Sequence, residues 1–472
     1  MEGLEVSEVL LSYALRSNDI FRFDSNYFQK QYLVEEKAIR GKVCKSLVEI
    51  GVELRSFGAY SLNNEVNYLE SGVPFIRGVN MKKGRISFSD LIYISEEANT
   101  LLWKSEVKPG MILLSMSGTI GEVAIASKYW EYPINSNQDI AKIEITGDLN
   151  PYFLYAFLLT SFGQNYLKRE ARGSVQQHVF LSQIEQFSIP IFSETFQTAV
   201  QQVVEKSDET LKSTESLRSN SETLLLDALN LTGFSPSREI SNIKSFKESF
   251  AASGRLDAEY YQPKFDELEA RIAESHELVT LGSLLTVNQR GTQPDYAEEG
   301  LPVVNSKHVR EGEVILADNR LATLSDKENA LVIQQGDVLI NGTGVGTIGR
   351  SAPYMHEQNA IPDNHVTILR TDKLNPIFLS VYLNSIAGKY QVDKYFKGSS
   401  GQIELYPKDI DCFYVPLIDE KIQTDIADLV KQSFKLKAES ERLLEVAKRA
   451  VEIAIEESEA AALEFIKQKE LP

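Results

Sequence analysis

Apolar and polar positions along this chain change their spacing in one order, and then repeat that order. Each half begins with an aromatic-rich helical lead-in. Short runs follow in which apolar and polar residues alternate between Gly, Asn and Pro turns, such as Val73–Ile76, Met111–Ser115 and Ala141–Ile145 in the first half. A period of two predicts strands. Mostly apolar runs come next, Tyr152–Leu159 and Ile377–Leu383, each opened by Asn-Pro. Asn at an N-cap with Pro at the first helical position predicts a helix in both places. A last short strand is expected at Phe187–Ile191. Beyond it the pattern becomes a long polar helix with a narrow seam. In the first such helix Val200, Ser207, Thr214, Ser221 and Ala228 recur every seven residues, with Val203/Val204, Thr210/Leu211, Leu217 and Leu224/Leu225 between them. In the second, Ile426, Ser433, Ser440, Ala447 and Ala454 take the first role and Leu429/Val430, Leu436, Leu443/Leu444 and Ala450/Val451 the other. Heptads sustained over about four repeats predict a coiled coil, against the alternative of two solvated helices each packed on its own domain. Small seam residues allow close approach and leave apolar flanks for partners, foremost Leu217, Leu224, Leu225, Leu443, Leu444 and Val451.

The repeated order has a matching repeat of residues, which is weighed before any local motif. Gly72-Val-Pro-Phe-Ile-Arg-Gly-Val-Asn80, closed by Gly84, matches Gly300-Leu-Pro-Val-Val-Asn-Ser-Lys-His308, closed by Gly312. Pro109-Gly-Met-Ile-Leu-Leu-Ser115 matches Gln335-Gly-Asp-Val-Leu-Ile-Asn341, and Gly118-Thr-Ile-Gly121 matches Gly346-Thr-Ile-Gly349. Asn150-Pro-Tyr-Phe-Leu154 pairs with Asn375-Pro-Ile-Phe-Leu379, and Phe187-Ser-Ile-Pro-Ile191 with Phe413-Tyr-Val-Pro-Leu417. The lead-ins agree too, Arg22-Phe-Asp-Ser-Asn-Tyr-Phe-Gln29 with Arg255-Leu-Asp-Ala-Glu-Tyr-Tyr-Gln262. The fold class expected is α+β, built from two duplicated domains and two long helices. The expected map is a first domain at 1–191, a central helix at 192–232, a linker at 233–254, a second domain at 255–417 and a C-terminal helix at 418–466.

Two local motifs lose weight against the repeat. Gly344, Gly346 and Gly349 have the G-x-G-x-x-G spacing of a dinucleotide loop, yet the two copies share only G-T-I-G. A dinucleotide loop must also open a helix directly, whereas Arg350-Ser-Ala-Pro-Tyr354 runs into proline, so a glycine-rich surface turn is expected. Asn150-Pro-Tyr-Phe153 resembles the amine-holding motif of amino-methyltransferases but lacks its second proline, and the helix-start reading takes precedence. No Walker sequence and no acid, base and nucleophile set stands out. The chain is expected to catalyse nothing itself.

Composition narrows the partners. Among 472 residues, 67 acidic against 49 basic side chains give a net charge of −18, which argues against a free-standing basic nucleic-acid binder. Cys44 and Cys412 lack C-x-x-C company, and the five histidines show no metal-ligand spacing. No apolar run approaches the roughly 18 residues of a membrane span, and the acidic start MEGLEVSEVLLSYALRSND does not read as a signal peptide, so a cytoplasmic protein without membrane partners is expected.

Two halves that open with Arg-Phe/Leu-Asp-x-x-Tyr-Phe/Tyr, carry G-D-V-L-I-N or its variant and G-T-I-G, and end in a long helix resemble the specificity (S) subunit of type I restriction-modification systems. The similarity covers about residues 16 to 465. One departure is Met111, where the second copy has the more typical Asp337. The resemblance implies two target-recognition domains, each reading one half of a bipartite, asymmetric double-stranded DNA site through the major groove, held apart by an antiparallel helix pair. It implies adenine-N6 methyltransferase (M) subunits as partners, two in number, and often a restriction (R) subunit. S-adenosylmethionine would come with the M subunits, this chain holding no cofactor. As a ruler, about 38 helical residues from Glu194 would span roughly 57 Å at about 1.5 Å per residue, or about 17 base pairs at roughly 3.4 Å each.

Candidate DNA contacts are clusters of Arg, Lys, Asn and Gln, the side chains that hold guanine, adenine or phosphate. In the first domain these are Arg77, Asn80, Lys82, Lys83 and Arg85 in one loop region, with Ser115, Ser117, Gln176, Gln177 and His178 at turns. In the second, Asn305, Ser306, Lys307, His308 and Arg310 correspond to the first group, joined by Asn341, Thr343, Lys397, Ser399 and Gln402. Tyr27, Phe28, Tyr260 and Tyr261 are expected as apolar anchors of the lead-ins rather than base stackers. Lys431, Lys435, Lys437, Arg442, Lys448 and Arg449 form a basic stretch that either follows phosphates or is a solvated face. The acidic total predicts weak DNA binding by the chain alone. A rival class is a coiled-coil scaffold whose duplicated domains bind protein or carbohydrate.

Overall fold

The computed structural model describes residues 6–15, 22–56, 66–89, 91–173, 177–239, 241–324, 331–399 and 401–470. It separates into two compact units, residues 1–212 with 436–472, and residues 213–435. The expected map gave each long helix a block of its own. Instead, both helices are divided between the units.

In the first unit, Val52–Arg55, Ile140–Ile145, Ile112–Ser115 and Val123–Ile125 form a four-stranded antiparallel sheet in that order. A second sheet runs Ile92–Ile94, Val73–Ile76, Ile134–Ser136 and Glu106–Val107, with its middle pair parallel. The second unit repeats this scheme. Val287–Arg290, Val366–Arg370, Val338–Asn341 and Ser351–Pro353 make one sheet, and Asp295–Ala297, Leu321–Thr323, Leu301–Val304 and Ile361–Pro362 the other, its last pair parallel. In each unit a two-stranded ribbon joins the lead-in to the strand before the long helix, Cys44–Ser46 with Ser188–Pro190 and Leu278–Thr280 with Tyr414–Pro416.

Both Asn-Pro sites start helices, Pro151–Leu159 and Pro376–Asn384, with each Asn side chain accepting the first two free N–H groups of its helix. The backbone N–H of each Asn in turn donates to a glutamine of the following long helix, Asn150 to Gln197 at 2.9 Å and Asn375 to Gln423 at 3.1 Å. Tyr27 and Phe28 are buried and anchor the first lead-in, as expected. The Met111 departure has a local account. Asp337 accepts the N–H of Gln334 at 2.7 Å and pairs with Arg370 at 2.6 Å, whereas in the first unit the Met111 sulfur takes the N–H of Lys108 at 3.4 Å.

The long helices run Glu194–Ala228 and Glu420–Glu456. The single C-terminal helix expected to 466 is two, because Ser458 accepts the N–H of Ala461 and caps a new helix, Glu459–Glu470. Within the first unit the helices run antiparallel, Ser193 meeting Glu459 and Ser207 meeting Ser440 further along. Ser207 Oγ donates to the Ser440 carbonyl at 2.6 Å and Ser440 Oγ returns the bond to the Ser207 carbonyl at 2.6 Å. Buried hydroxyls are thereby satisfied at close helix approach.

Four of the six flanks expected to face partners are covered within their own units. Leu443, Leu444 and Val451 are buried in the core of the first unit with Phe153, Phe157, Val200 and Val203, and Leu225 is buried in that of the second with Phe378 and Leu379. Leu217 and Leu224 are half-buried. Burial of a leucine contributes roughly 1.5–3 kcal/mol, so these residues serve their own units. Four of the six cations in the basic stretch are paired along their own helix. Lys431, Arg442, Lys448 and Arg449 pair with Asp428, Glu439, Glu445 and Glu452 of their own helix.

Candidate nucleic-acid interface

Three loops distant in sequence meet in the first unit. The ribbon Met81–Lys82/Arg85–Ile86 begins just after the Gly78–Asn80 turn. The G-T-I-G turn lies against it, Thr119 Oγ1 reaching the Gly78 carbonyl at 3.4 Å and Glu122 accepting the N–H of Lys83 at 2.9 Å. The third loop closes on the second through backbone bridges of His178 with Ser117 and with Arg172. The second unit assembles the same three. Asn341 Nδ2 donates to the Ser306 carbonyl at 3.1 Å, and Thr343 bridges Glu404 in the ribbon Lys397–Ser399/Gln402–Glu404. The sequence-predicted clusters are brought together, once in each unit.

Within the clusters the roles divide. Lys82, Lys83 and Gln177 are exposed at loop tips in the first unit, as are Lys307, Ser399 and Gln402 in the second. Lys83 sits at a left-handed φ of +49°, which turns the ribbon tip outward. Arg77, His178, Asn305, Ser306, Arg310, Thr343 and Lys397 are half-buried. Thr343 Oγ1 lies 2.8 Å from His365 Nδ1, and Lys397 pairs with Asp409 at 2.6 Å. Gln176 lies outside the described residues.

Five expected contacts point elsewhere. Asn80 is buried and its Oδ1 accepts the N–H of Arg77 at 3.0 Å. His308 occupies the same place and its Nδ1 accepts the N–H of Asn305 at 3.1 Å. Burial, with Lys307 and Arg310 nearby, lowers the His308 pKa to about 4, which keeps that acceptor lone pair free. Ser115 and Asn341, also buried, hold turns: Ser115 Oγ donates to the Ser117 carbonyl at 3.2 Å, and Asn341 bonds Ser306. Arg85 turns away from the loop tips and gives hydrogen bonds to Ser207 and to Ser440 Oγ at 2.7 Å, close to Asp208. In the structure these five side chains hold their own backbone or a packed helix rather than stand at the loop tips.

Gly344, Gly346 and Gly349 all have positive φ and lie in the turn between Val338–Asn341 and Ser351–Pro353, with no helix after them. A Cβ on Gly349 would sit 2.7 Å from Val392, and one on Gly121 2.8 Å from Gln164. The last glycine of the shared G-T-I-G has a left-handed φ in both units, and in the second it is also held by packing against Val392. Among the described residues no group of three or more His, Cys, Asp or Glu could hold a metal. No helix among them is long and apolar enough to cross a membrane. Sequence reasoning passed over Lys142, buried on the strand Ile140–Ile145, where it donates to Ser136 Oγ at 3.1 Å and the Ile140 carbonyl at 3.0 Å. Burial, and then Arg55, lower its pKa to about 7.

Paired sheets that present three convergent polar loops, twice over, make a duplicated module. Residues 56–217 match the family model described as type I restriction modification DNA specificity domain. Over that segment, about a third of the chain, the sequence is similar to that family. The match ends at residue 217, and the rest of the second unit resembles the matched segment through the internal repeat. Among curated proteins none matches the chain. Among solved structures the chain is similar to the S subunit of a type I restriction-modification system from M. genitalium, at 14% identity over 88% of this chain and 94% of that one, with a TM-score of 0.40. It is also similar to an HsdS subunit from Thermoanaerobacter tengcongensis, at 14% identity over 89% and 97%, with a TM-score of 0.28.

Proposed function

We propose that this chain is the DNA-specificity subunit of a type I restriction-modification complex. Each unit reads one half of a bipartite, asymmetric double-stranded site, and the long helices set the gap and dock the methyltransferase subunits. The observation that carries the reading is the convergence of the same three loops in both units, with exposed Lys and Gln side chains at their tips. Lys82, Lys83 and Lys307 suit phosphates or guanine, and Gln177 and Gln402 suit the two-point grip of adenine. Buried partners such as Asn80 and His308 fix the loops rather than touch DNA. The chain chooses the site, and S-adenosylmethionine and the methyl transfer belong to the M subunits; an R subunit would add cleavage. Single-molecule sequencing of genomic DNA from cells with this chain and its methyltransferase, and from cells lacking the chain, tests this. Methyladenine in two defined half-motifs with a fixed gap, lost on deletion, is the expected result. Unchanged methylation beside an active methyltransferase would refute the reading and leave the scaffold alternative.

A further inference from the structure

In the first unit a concavity of about 530 Å³ opens between the lead-in, the end of the helix Ser161–Glu170 and the loop that carries Gln177. Its described lining includes Arg22, Asn26, Lys168, Arg169, Arg172 and Gln177 and contains no carboxylate. Arg22 is neutralised by Asp24 at 2.7 Å and Arg169 by Glu36 at 2.7 Å. Lys168 is exposed, and neither it nor Arg172 has a carboxylate within ion-pair distance among the described residues. Nearby acids are engaged by neutral donors, Glu35 by Asn165 and Glu170 by Tyr27 and Gln183. Arg172 exchanges backbone hydrogen bonds with His178, which fixes its place beside Gln177. Two cations without an ion pair, Lys168 with only Glu35 in electrostatic reach and Arg172 a guanidinium suited to two-point contact with phosphate oxygens, line a polar hollow next to a loop already placed in the interface.

The matching place in the second unit is different. Correspondence is secured by the rings: Arg22 and Arg169 lie 4.9 and 4.2 Å from the Tyr27 centroid, as Arg255 and Lys394 lie 4.5 and 5.4 Å from that of Tyr260. There Asp393 stands for Lys168, Glu259 stands for Asn26, and Lys397, which stands for Arg172, is paired with Asp409. Gln183 occupies the position of Asp409 in the first unit, so Arg172 lacks that partner.

We propose that the concavity at Lys168 and Arg172 is a phosphate subsite for the DNA backbone that only the first unit possesses, so that the first unit supplies the larger share of salt-dependent affinity. This rests on the DNA reading above and adds where the backbone is held. The test is fluorescence anisotropy of the full chain with a mixed-sequence duplex of about 30 base pairs between roughly 50 and 200 mM salt, since each phosphate contact adds about 0.9 to the slope of log affinity against log salt. Lys168→Gln with Arg172→Gln is expected to lower the slope by about two, Lys168→Gln alone by about one, and Asp393→Lys to raise it by about one. Both single changes fall on exposed side chains, so they report even if the double variant misfolds. A double variant and a Lys168→Gln variant that keep the wild-type slope would overturn the subsite. If that unchanged slope came with lost co-purification of the methyltransferase, the surface would belong to an acidic protein partner. Wild-type chain that binds no duplex even with its methyltransferase would instead sink the DNA reading itself.

Discussion

Asn80 and His308 stand in the same turn of the two units and close it with different chemistry, an amide oxygen in one and an imidazole nitrogen in the other. The amide has no proton to gain, whereas the imidazole works only when neutral. His308 has its pKa lowered to about 4 in the folded chain against 6.5 for an ordinary histidine. The unfolded chain therefore takes up a proton first as pH falls, and the second unit should lose stability between about pH 6.5 and 4, on the order of 3 kcal/mol in all. Denaturant melts of His308→Asn should show a flatter acid limb than wild type; equal limbs would mean that the ring does not titrate with unfolding. Lys142 works in the same direction over a higher range. With its pKa lowered to about 7 in the folded state and near 10.5 when unfolded, its contribution to stability rises with pH across that interval. Lys142→Met should raise the melting temperature at pH 7 and lose that advantage toward pH 10. A variant less stable at every pH would show that the bonds to Ser136 and Ile140 outweigh the cost of burying the charge.

Elements were legible wherever a short-range rule decided them. Asn-Pro gave both helix starts, and alternation gave the strands at Val73, Ile112 and Ile140 to within a residue. The cap can be measured: Asn375→Ala should cost about 1 kcal/mol in unfolding free energy, read by denaturant melts, because two helix N–H groups lose their acceptor. An unchanged midpoint would assign the helix start to Pro376 alone. What the sequence hid was long-range. Heptads show that Leu443 and Val451 are seam residues, yet not whether a partner or their own domain covers them, and the structure gives the second answer. Asn341 reads as a loop Asn suited to adenine until its amide is seen bonded to Ser306, 35 residues away in sequence. Arg22, Lys168 and Arg172 make no cluster in the sequence at all.

On the proposed DNA reading, the duplication of the molecule places a demand on its specificity. Each unit has its own core, and its three loops are held by contacts within that unit, such as Thr119 with Gly78 in the first and Asn341 with Ser306 in the second. A change at an exposed loop tip in one unit should therefore leave the other half of the DNA motif alone. Gln402 is exposed on the ribbon of the second unit, so Gln402→Ala removes a two-point donor and acceptor without opening a core. In methylomes of cells expressing the variant, one half-motif should become degenerate at a single position, with discrimination there falling by about 1–3 kcal/mol. The other half-motif and the gap should be those of the wild type. Lys82→Ala with Lys83→Ala is the complementary case, and should change only the remaining half or the overall extent of methylation. Simultaneous changes in both half-motifs from a single tip would mean that the units do not read DNA independently, and would assign specificity to the assembled complex instead.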